Sequence, residues 1–69
     1  MSRADIYETI LYYTTRASTD ARQIRNSKEP KRRVFFTDRV DIAMDIIEGQ
    51  IQQLKAIDRK EKQENEQNT

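Results

Sequence analysis

Apolar side chains recur along the first third of the chain at Ile6, Ile10, Tyr13, Ala17, Ala21 and Ile24, with spacings of 4, 3, 4, 4 and 3. At 100° per residue these positions fall within an arc of about 80°, the narrow seam of an amphipathic helix. Tyr7 and Leu11 widen one flank, and Glu8, Thr19, Arg22 and Gln23 occupy the opposite side. Ser2 followed three residues later by Asp5 forms a capping-box pattern, in which a hydroxyl and a carboxylate satisfy amide donors at a helix start. The pattern breaks at Asn26-Ser27, just ahead of Pro30. A first helix is expected over about residues 3–26.

A second pattern is wider. Val40, Ala43, Ile47, Ile51 and Leu54 step by 3, 4, 4 and 3, with Met44 beside them. Ile42, Ile46, Gly49 and Gln53 step by 4, 3 and 4 on an adjoining face. Together with Ile57 they spread the apolar arc to roughly 200°, more than one antiparallel neighbour covers. The first helix can cover one side, and a second copy of the chain is expected on the other. Ile42, Ile46, Gly49 and Gln53 are therefore the candidate subunit interface. Glycine inside a helix costs about 1 kcal/mol relative to alanine. Gly49 either lets a second backbone come close or is tolerated with no role.

The stretch between the patterns, "NSKEPKRRVFFTDR" (residues 26–39), holds the single proline and both phenylalanines. The expected division is a basic connection over about 27–33 and a second helix over about 34–57. An earlier start sets Pro30 in the first turn, where its missing amide and fixed φ do no harm. That register puts Phe36 on the main seam and Phe35 on the second face, both packing inward, and Val34 outward. An extended "RRVFFT" is the alternative, since Val, Phe and Thr favour strands. It resembles the ribbon of ribbon–helix–helix DNA-binding dimers in type only, because a long helix comes first here. The last twelve residues, 58–69, hold no apolar side chain and are expected to be a polar, disordered tail, with Asp58–Lys62 able to extend the helix by a turn.

Composition narrows the chemistry. A chain of 69 residues is one domain at most, and below roughly 70–80 residues a single core rarely suffices without a staple. With no Cys and no His, disulfides, thiolate metal sites and the common zinc ligand sets are excluded. The usual near-neutral general base is missing too, so no catalytic residue, metal, cofactor or small-molecule substrate is expected. Charged residues are 36%, apolar residues 35%, with one Gly and one Pro, a helical composition rather than an all-β one. No apolar run reaches the roughly 18 residues of a membrane span. A soluble, cytoplasmic protein is expected, with no membrane partner.

The net charge of +1 conceals a polar distribution. Residues 1–15 carry −1, residues 40–69 carry −3, and residues 16–39 carry eight basic side chains against three acidic ones, +5. In a folded hairpin the basic third becomes the closed end. Arg22, Arg25, Lys28, Lys31, Arg32 and Arg33 form a candidate contact surface there. They could neutralise phosphates of DNA or RNA, or be a solvated connection offsetting acidic neighbours. Tyr12 points to the polar side of the first helix, either as an aromatic contact for a base or a partner protein or as a half-covered surface ring.

The fold class expected is all-α: an antiparallel two-helix hairpin that dimerises into a four-helix bundle. Its outline resembles small regulatory proteins of bacteria, plasmids and phages, though no stretch carries a family motif. The expected function is that of a non-enzymatic regulatory or adaptor protein that binds another macromolecule, chiefly a protein. The alternative is a nucleic-acid-binding regulator that uses the basic tip.

Overall fold

A computed structural model of the chain describes residues 2–67. It consists of two helices, α1 (Arg3–Asn26) and α2 (Pro30–Gln67), packed against each other, with no strand among the described residues. Cross-helix pairs run in antiparallel order. Arg32 meets Gln23, Arg39 meets Asp20, and Arg3 meets Asp58 and Glu61. The result is a rod with Cα extents of 60 × 16 × 15 Å.

The α1 start follows the capping pattern. Ser2 is extended (φ −80°, ψ 160°), and its Oγ accepts from the Asp5 amide at 3.2 Å. Thr9, Thr14 and Thr19 turn their hydroxyls back onto the carbonyls of Asp5, Ile10 and Thr15 at 3.0, 2.8 and 3.1 Å. Such bonds satisfy a hydroxyl locally and let β-branched residues sit in a long helix. The helix stops because Ser27 turns extended (φ −89°, ψ 134°), its amide still bonding Ile24 O at 3.3 Å. Ser27 Oγ then accepts from the Glu29 amide at 3.3 Å, shaping the bend.

Pro30 opens α2, and the amide of Arg33 donates to Glu29 O at 3.1 Å as its first helical bond. The connection is thus only residues 27–29, and the early start is the one adopted. The extended alternative is not. At the other end the helix continues through 58–67, in place of the disordered tail expected there. Two causes are visible: Arg3 ties Asp58 and Glu61 back to α1, and the segment is rich in strong helix formers such as Lys, Glu and Gln. Residues 68 and 69 of that expected tail lie outside the described residues.

The core is thin. Ile6, Ala17, Ala43 and Ile47 are its buried apolar side chains among the described residues, and Ile6 is fully enclosed. Ile10, Tyr13 and Ile24 of α1 and Phe36, Val40, Ile46, Leu54 and Ile57 of α2 are half-buried around them. Three placements change. Ala21 is exposed and Asp20, one position back, is buried in its place. Ile51 is 40% exposed, while Gln50 turns toward the seam. Phe35 stays 56% exposed instead of packing inward. For the first two the cause is phase: at 3.6 residues per turn a repeat of 3 and 4 drifts, and positions 20 and 50 follow the helix axis better than 21 and 51.

Candidate functional site

A hairpin is a single layer two helices wide, so it has two broad faces. Counting 100° per residue from Ala43, Phe35, Ile42, Ile46, Gly49 and Gln53 lie to one side of the α2 seam, and Met44 and Ile51 lie to the other. Counting from Ile6 on α1, Tyr12 and Arg16 lie to one side, Tyr7 and Leu11 to the other. Because right-handed helices running in opposite directions carry equal phases to the same side, Tyr12 and Arg16 share a face with Ile42. Tyr7 and Leu11 share the other with Met44. Both faces are apolar and uncovered: Ile42 is 60% exposed and Leu11 61%.

The Ile42 face contains the four candidate interface residues. Ile42, Gly49 and Gln53 are exposed and Ile46 is half-buried. A Cβ added to Gly49 would meet nothing within 4 Å, so packing against α1 does not require the glycine and the helix surface there is open. Beside it, Tyr13, Arg16, Arg39, Ile42, Ala43 and Ile46 line a cleft of about 180 Å³. Its floor is apolar and its rim carries two guanidinium groups. Arg16 Nη1 donates to Tyr12 Oη at 3.3 Å, and Tyr12, itself 58% exposed, stands edge-on to Tyr13 with ring centroids 5.0 Å apart. Arg39 Nε donates to Asp20 Oδ2 at 3.1 Å, its guanidinium 5.7 Å and 6.0 Å from the ring centres of Phe35 and Phe36. The candidate aromatic contact and the candidate subunit interface are therefore neighbours on one surface.

At the closed end the six basic candidates divide. Arg32 is braced, its Nη2 donating to Gln23 Oε1 at 3.2 Å and its guanidinium lying 5.6 Å from the Phe36 ring centre. Arg33 Nη1 donates to Ser27 O at 3.4 Å. Arg22, Arg25, Lys28 and Lys31 are exposed and make no ion pair among the described residues. The first turn of α2 holds no acidic side chain, and Glu29, immediately before Pro30, is the carboxylate nearest the positive end of its dipole.

At the open end, Arg3 bridges Asp58 and Glu61, with 2.8 Å from Nη2 to Glu61 Oε2. Hydrogen bonds to Glu61 and then Asp58 hold the guanidinium's pKa above its ordinary value. Sequence reasoning missed this cluster and the Asp20–Arg39 pair, because both join residues far apart in the chain. An arginine opposite a carboxylate in the antiparallel register is the signal that finds them. No group of three or more metal-ligating side chains occurs among the described residues. No described helix is long and apolar enough to cross a membrane.

No family model matches the chain, no curated protein matches it, and no solved structure matches it.

Proposed function

We propose that the chain is a small non-enzymatic regulatory or adaptor protein whose hairpin pairs with a second copy into a four-helix bundle and, in that form, binds another protein. One observation carries this reading: the exposed apolar strip of Ile42 and the half-buried Ile46, with open backbone at Gly49, running beside a core that holds four buried apolar side chains among the described residues. Burying an isoleucine side chain fully is worth ~1.5–3 kcal/mol, whereas ordering the backbone of each residue costs about 1–2 kcal/mol. A hairpin with so little buried gains its missing stabilisation from a second layer.

A second hairpin covers one face of the first. The Leu11 face, with Tyr7, Met44 and Ile51, then stays on the outside of the bundle as a contiguous apolar surface for a different protein. Ile46→Lys tests the arrangement. It places a charge at the seam and should convert the assembly to monomer, with loss of helix; an unchanged mass by light scattering would reject this face as the seam.

A further inference from the structure

We propose that the closed end of the hairpin is a phosphate-contacting surface for duplex nucleic acid, held by Arg22, Arg25, Lys28 and Lys31 and indifferent to base sequence. This goes beyond protein binding and does not rest on self-association.

The tip separates support from contact. Arg32 and Arg33 are engaged with Gln23, Phe36 and Ser27, so they stiffen the bend. All six tip cations are exposed and none makes an ion pair among the described residues, but Arg22, Arg25, Lys28 and Lys31 are also without a side-chain hydrogen bond there. Their charges are not spent inside the molecule, and a bend fixed by side-chain bonds presents them with less conformational entropy to lose.

The chemistry of the patch selects its ligand class. Protein interfaces are built on an apolar centre depleted of charge. Residues 25–33, "RNSKEPKRR", offer no apolar side chain except Pro30, and the exposed Val34 at their edge is a single side chain rather than an apolar centre. Phosphate binding needs no apolar centre, because its driving force is counterion release. The remainder of the chain is acidic, −1 over residues 1–15 and −3 over residues 40–69, so a polyanion is attracted to the tip and repelled along the body.

Shape decides how the tip meets the duplex. The rod is 16 × 15 Å across measured on Cα atoms alone. The major groove is about 12 Å wide. Two helices side by side do not enter it, so the cations reach backbone phosphates rather than base edges, and binding carries no sequence preference.

The test titrates the full-length chain against two unrelated labelled duplexes of about 20 base pairs at about 50 and 200 mM salt. With four phosphate contacts the slope of log K on log salt is about −3.6, and affinity falls about 100-fold between the two conditions. Both duplexes should bind alike. The variant carrying Arg22→Gln, Arg25→Gln, Lys28→Gln and Lys31→Gln should lose this binding while keeping wild-type helicity and mass. Lys31→Gln alone, which leaves three cations in place, should flatten the slope by about 1. The proposal is overturned by absence of binding at the lower salt, by an unchanged slope in Lys31→Gln, or by poly-glutamate competing as well as DNA at equal charge, which would assign the tip to an acidic protein. Mass is read on the same samples, so loss of self-association shows separately from loss of DNA binding.

Discussion

Arg39 of α2 reaches across the hairpin to Asp20 of α1, Nε to Oδ2 at 3.1 Å, joining residues 19 positions apart. Asp20 is 4% exposed and is the buried charged side chain among the described residues, lying at the end of the Ile6–Ala17 seam. The arginine keeps about a third of its surface in water and lies near the rings of Phe35 and Phe36. A charged pair at this depth sets the register of one helix on the other, because any slip strands the carboxylate.

The two partners should therefore differ under truncation. Arg39→Ala leaves Asp20 enclosed without its cation and should destabilise by about 3–5 kcal/mol. Asp20→Ala leaves a guanidinium that water and two rings still solvate, and should cost about 1–3 kcal/mol. Chemical denaturation of both variants at one protein concentration measures the difference. Equal losses would show that the pair acts through Coulomb attraction alone and not through burial of Asp20.

Gln50 is the opposite case. Its Oε1 is buried with no hydrogen-bond partner among the described residues, on a seam position otherwise filled by apolar side chains. An unsatisfied buried acceptor costs about 1–3 kcal/mol. Gln50→Leu should raise the denaturation midpoint, and a lower midpoint would mean that the amide is satisfied by a group the isolated hairpin does not contain.

Arg3 fastens the open end through Asp58 and Glu61, and all three side chains are solvent-accessible. Exposed ion pairs add little to global stability. Arg3→Ala should leave the unfolding midpoint nearly unchanged while speeding amide exchange over residues 55–64, since the last turns of α2 lose their tether. Unaltered exchange there would show that helix propensity alone carries the segment.

The sequence made the architecture readable and the details at its edges less so. Both helices follow from periodicity, and Ser2 and Pro30 mark their starts. The exposure of Ile42 was legible as an apolar arc too wide for one neighbour. The exchange of Ala21 for Asp20 was not, because a hydropathy pattern assigns a carboxylate to solvent unless its cation is known, and Arg39 is a neighbour only after folding. The same reasoning explains the end of α2. Residues 58–67 look like a solvated tail in isolation and become helix where Arg3 of the other helix meets them. At the tip, charge pointed to all six cations equally, and only geometry separates the two that bond across the bend from the four that make no side-chain bond among the described residues.

Self-association is the claim on which the functional reading turns, and sedimentation equilibrium of the unmodified chain across a range of concentrations tests it most directly. A self-associating hairpin gives a species of twice the 8.2 kDa chain mass, dissociating only on dilution with concurrent loss of helix. A folded helical monomer persisting at every concentration would contradict it.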